Sequence, residues 1–183
     1  MNTKENVIKL QTQKWITDIV IGCNFCPFAA REVKRNAIHY AVEISDKIKV
    51  CLDSFLNECI LLDENKDIET SLLIFPGSFK RFDDYLILVS KAENLLKKKD
   101  YEGIYQVASF HPTYCFANSP MDDAANFTNR SPYPMLHILR EESIEQALLH
   151  YPNPKKIPEN NIDFARKKGF AYMALLLDAC LKK

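Results

Sequence analysis

Apolar residues in this chain follow two periods, and the order in which those periods alternate limits the folds open to it. Spacings of three and four mark helices, while strict alternation marks strands. Residues 4–21 read as an amphipathic helix through Ile8, Trp15, Ile16, Ile19 and Val20, with Gly22 placed to stop it. A short helical piece to about Arg35 follows. Ile38, Tyr40, Val42 and Ile44 then alternate along a strand from Ala37 to Ile44. Ser45 can cap a helix over 46–62, where Ile48, Cys51, Leu52, Phe55, Cys59 and Leu62 recur at helical spacing.

Ser71 to Phe75 is a short apolar strand closed by Pro76-Gly77, and Phe82, Tyr85, Leu86, Val89, Ala92 and Leu96 mark a helix over 80–97. Ile104–Phe110 and Met135–Arg140 return to strand, and Glu141–His150 to helix. The proline-rich stretch 151–158 predicts an irregular connection, and 160–181 a last helix with Gly169 as a bend. The resulting order is α-β-α-β-α-β-β-α-α. Helix-bearing crossovers favour parallel neighbours, and the final strand pair can be antiparallel. The expectation is an α/β (α+β) fold, one domain over 1–183, with a mixed sheet of about four strands under packed helices.

Composition narrows the function classes. Lys plus Arg equals Asp plus Glu at 24 each, which argues against the basic field of a nucleic-acid binder. Lys97–Lys99 and Arg166–Lys168 read as solvated helix faces. The first residues lack the apolar core of a signal peptide, and no apolar run approaches a membrane span. A cytoplasmic protein with no membrane or nucleic-acid partner is expected, its six cysteines mostly reduced. There is no Gly-x-Gly-x-x-Gly, P-loop or Gly-x-Ser-x-Gly run, which disfavours nucleotide-dependent and α/β-hydrolase chemistry.

Residues able to carry chemistry gather in two places. Cys23 and Cys26 have C-x-x-C spacing, with Pro27 suited to a first helical position and Cys26 to the N-cap. Metal ligation, a thiolate stabilised by helix-start amides and plain packing are all open to this pair. Cys51, Cys59 and Cys180 lie on apolar stripes and read as core.

The second place is the polar stretch between the last two strands. His111 follows a strand end, and His137 lies within Met135–Arg140, so neighbouring strands would let the two approach. Ser119-Pro120-Met121-Asp122 resembles a helix start. A helix from Pro120 to Asn129 would place Asp122, Asn126 and Asn129 on one side, flanked by Asp123 and Arg130. Arg130 and Arg140 are candidate anion clamps, because guanidinium holds carboxylate or phosphate with two parallel bonds. Capping, internal ion pairing and ordinary exposure are the bland alternatives for each of these side chains.

Three segments carry a resemblance. Gly22-Cys23-Asn24-Phe25-Cys26-Pro27-Phe28, Tyr105 through Pro112, and Asp122-Asp123 through Thr128-Asn129-Arg130-Ser131-Pro132-Tyr133-Pro134-Met135-Leu136-His137 resemble the domain of unknown function 1415 family. The resemblance implies a stand-alone soluble protein and brings no reaction, cofactor or catalytic residue.

The expectation is then a small enzyme acting on an anionic small molecule. Cys23, Cys26, His111 and His137 would hold zinc or iron, which suit mixed sulfur and imidazole ligands. Asp122 or Asp123 would orient a ligand or move a proton, and Asn126, Asn129, Arg130 and Arg140 would bind substrate. The rivals are metal-free thiol chemistry, with Cys26 as nucleophile and Cys23 resolving, and a non-catalytic module that binds a small anion.

Overall fold

The computed structural model describes residues 3–182. Strands β1 (Ile38–Val42), β2 (Thr70–Ile74), β3 (Tyr105–Phe110) and β4 (Met135–Arg140) form one mixed sheet in the order β1-β2-β4-β3. β1 and β2 run parallel, joined through helix α3 (Ile48–Glu64) as the crossover rule requires. β4 lies antiparallel to both β2 and β3. The fold is α+β, as the alternating periods predict.

Strand parity divides the sheet into two faces. Leu73, Leu136, Ile138 and Tyr105 pack against α3 and α4 (Phe82–Lys98), meeting Phe55, Leu62, Tyr85 and Leu88. Tyr85 ties that layer to the strand ends: its hydroxyl donates to Met135 O at 2.8 Å and accepts from Phe110 N at 2.9 Å. The opposite face, with Ile38, Leu72, Ile74 and Met135, is covered by the amino- and carboxy-terminal helices. Trp15, Ile19, Met173 and Leu177 are the contacts there.

The covering helices depart from expectation where the backbone leaves α geometry. The first helix is α1 (Thr3–Trp15) continued as a π-helix, Ile16–Ile21. Gly22 N donates to Thr17 O at 3.1 Å, the five-residue bond of a π turn. A Cβ at Gly22 would lie 2.3 Å from Asp18 O, so this close approach, rather than an unusual φ, is what calls for glycine. The helix of the C-x-x-C corner, α2 (Ala29–Lys34), begins with Phe28 rather than Cys26 in the capping position. The single carboxy-terminal helix expected over 160–181 is two: α6 (Ile157–Lys168) and α7 (Phe170–Leu181). Gly169, at φ 83° and ψ 157°, breaks the helix outright instead of bending it. α6 also starts inside the stretch read as irregular, with Pro158 tolerated in its first turn. No helix among the described residues is long and apolar enough to cross a membrane.

Candidate functional site

The stretch from His111 to Pro134 is densely polar, and nearly all of that polarity is used internally. The helix expected over 120–129 is only a 3-10 segment, Ala124–Thr128, preceded by turns. A long connection without regular structure must satisfy its buried backbone with its own side chains. Asn126, fully buried, does this at both ends of its amide: Oδ1 accepts from Phe116 N and Nδ2 donates to Pro120 O, each at 2.9 Å. Asn129 Nδ2 donates to Ser109 O at 3.2 Å. Arg130, 6% exposed, donates from Nε to Tyr114 O at 3.1 Å and from Nη2 to Met121 O at 2.7 Å. Its guanidinium also lies 4.6 Å from the centroid of Phe127.

Asp123 caps the 3-10 segment through Ala125 N at 2.9 Å and takes two bonds from Arg166, at 3.1 and 2.7 Å. Those Arg166 bonds, joined by the Ala125 amide and Ser119, hold its carboxyl well below the usual carboxylate range. Asp122 is exposed at the surface. The Arg140 side chain ties down the end of α3 and the loop after it, donating from Nη2 to Leu62 O, to Ile68 O at 3.1 Å and to Asn65 O at 3.3 Å. Neither candidate clamp therefore turns a free guanidinium fork toward a pocket.

The imidazoles separate by strand parity. Ala108 lies opposite His137 and Phe110 opposite Met135, so His111, one residue on, falls to the other face. It is 1% exposed and packs beside Phe82 and Tyr85 of α4. Thr113 N donates to its Nδ1 at 3.1 Å, which leaves the proton on Nε2 to donate to Phe79 O at 2.8 Å. Both ring nitrogens are thus committed, and burial lowers the pKa.

Cys23 is buried in the core beneath the covering helices, whereas Cys26 opens on a groove. Both thiols are free, and burial pushes both up. The Phe28 and Ala29 amides do favour a Cys26 thiolate, as a helix start should, but desolvation outweighs them. The set Cys23, Cys26, His111 and His137 does not assemble. Among the described residues no group of three or more His, Cys, Asp or Glu is placed to hold a metal ion.

What the fold does build is a groove of about 1080 Å³ over the face that carries His137. Its floor is Ile38, Leu72, Leu139, Ala108 and Phe110; one wall is Trp15, Ile16, Val20 and the Cys26–Glu32 corner. The other wall is α5 (Glu141–Leu149), continuing to Tyr151 and the start of α6. No residue of α5 is buried, and its apolar Ile144 and Ala147 face the groove. Phe28 and Tyr151 meet edge to face at 5.6 Å between centroids, joining the two walls.

Polar groups at the deep end are few. Thr70 Oγ1 donates its one proton to Ile138 O at 2.5 Å. It must therefore accept from His137 Nε2–H, 2.7 Å away, which fixes the imidazole as the Nε2 tautomer. Burial holds His137 down to about 4, so it is neutral at physiological pH. Beside Thr70, Glu69 Oε1 is buried with no hydrogen-bond partner among the described residues, and Glu69 lines the same groove.

Sequence reasoning missed Glu69, Thr70, Leu72, Ala108 and Tyr151. Strand alternation puts Leu72 and Ala108 on one sheet face without telling that this face stays open, and Glu69 and Thr70 carry no local signal.

An α+β sheet with an apolar groove on one face is the class of protein that fold and site define. The chain belongs to the family described as protein of unknown function (DUF1415), whose model matches residues 7–174. Neither a curated protein nor a solved structure matches it.

Proposed function

We propose that this protein binds a small, mainly apolar molecule in the groove over the sheet, with the Thr70–His137 pair at its deep end. One observation carries the reading: an opening of about 1080 Å³, lined mostly by apolar side chains, has a few convergent polar groups at its base. Binding sites typically combine an apolar lining with a small number of placed polar groups, in volumes of roughly 300–1000 Å³. The π turn supports the same location, since Ile16 and Val20 on it face the groove, and such turns often occur at functional sites. The expectation of an anionic ligand loses its two clamps, because Arg130 and Arg140 are occupied by backbone carbonyls.

Trp15 is the only tryptophan and lines the groove, so it reports occupancy without labelling. Titration of the full chain with n-hexanol should shift its fluorescence saturably. Ala108→Phe, which covers the imidazole from the neighbouring strand, should weaken that binding by about tenfold while leaving the fold intact. Identical titrations of both proteins would remove the groove as the binding site.

A further inference from the structure

Two acceptors of the groove's lining residues lack a protein donor among the described residues. Glu69 Oε1 is buried and lacks a donor. Its other oxygen has only Arg35 Nη1 at 3.8 Å, and Arg35 lies closer to Glu32, at 2.9 Å. His137 Nδ1 is the second acceptor. The ring's one proton is on Nε2, and no protein donor reaches Nδ1 among the described residues.

Of the described donors that line the groove, Gln106 keeps a free side-chain amide, while those nearest Thr70 and His137 are spent. The Thr70 hydroxyl proton goes to Ile138 O, the His137 proton to Thr70, and the Arg140 guanidinium to the end of α3. Arg31, on the rim, pairs with Glu32 at 3.2 Å. A bound carboxylate or phosphate would set a like charge and further acceptors beside the under-paired Glu69 carboxylate. An ammonium brings three donors and a positive charge on one small head. Its bond to a carboxylate is of the strong, charge-assisted kind.

We propose that the groove's ligand is an apolar amine, its protonated nitrogen held by the Glu69 carboxylate while its hydrocarbon body lies along the Leu72–Ala108–Phe110 floor. The assignment rests on the groove being a binding site and adds which head group that site selects.

The test compares n-hexylammonium, n-hexanol and n-hexanoate at neutral pH, read by Trp15 fluorescence and by calorimetry on the full chain. The three share one body and differ in donors and charge. The expected order is ammonium tightest, then alcohol, then carboxylate, with about tenfold or more between first and last. Glu69→Gln should weaken hexylammonium about tenfold and leave hexanol within about threefold, which also shows that the groove stays folded. Hexanoate binding as tightly as hexylammonium, or an amine affinity unchanged in Glu69→Gln, overturns the amine assignment and leaves the groove as a site. No binding by any of the three overturns both.

Discussion

Two regions of this molecule invite a functional reading, and they differ in how their polar groups are used. The 111–134 connection holds most of the carboxylates, amides and guanidinium that look like a site. Its buried members are bonded to the connection's own backbone, as with Asn126 to Phe116 and Pro120, and Arg130 to Tyr114 and Met121. The groove is lined mostly by apolar side chains, and two of its acceptors lack a protein donor among the described residues. Density of polar residues marks where a chain must hold itself together without secondary structure. An unmet bond beside an opening marks where something else can be held.

This contrast is open to mutation, and the largest effect is expected in the connection. Arg130→Ala leaves two carbonyls without donors and removes a buried cation–π contact, so unfolding free energy should fall by about 3 kcal/mol. Denaturant unfolding measures this, and hexanol affinity of the folded fraction should be unchanged. Asn126→Ala should cost about 2 kcal/mol by the same assay, again with no change in groove affinity. Loss of binding without loss of stability in either variant would reverse the roles assigned to the two regions. Asp123→Ala removes a cap and an ion pair that is exposed on its arginine side, and about 1 kcal/mol is expected.

The pH dependence sharpens the groove side. His137 is held down to about 4 from an ordinary 6.5 by burial, so the unfolded chain binds a proton first as pH falls. Its stabilisation is complete above 6.5 and is lost progressively as pH drops toward 4. A proton NMR titration should show the His137 ring unchanged until the pH nears 4; a midpoint near 6.5 would place the ring in solvent rather than in the groove. The smallest effect is expected at Cys26. Burial raises its thiol, so alkylation should accelerate only above the ordinary thiol range, and hexanol should slow it.

Much of the architecture was legible because periodicity is local. The alternation in Ile38–Val42 and the helical stripes of α3 and α4 predicted the elements, and the long crossovers predicted the parallel β1–β2 pair. Gly169 was visible as an interruption, but the positive φ that turns a bend into a break depends on how α6 and α7 pack. The site was harder to read, because its assignments hinge on register. One residue decides that His137 faces the groove and His111 faces α4, and no spacing in the chain fixes where the strand ends. Glu69 and Thr70 gave no signal at all: a carboxylate and a hydroxyl before an apolar strand look like any strand entry.

The most direct measurement is amide chemical-shift mapping of the full chain during a hexylammonium titration. Saturable shifts should concentrate at Glu69–Leu72, Ala108–Phe110, His137 and the α5 wall, with residues 113–130 essentially still. Shifts centred on Asp122–Arg130, with the groove unmoved, would contradict the account.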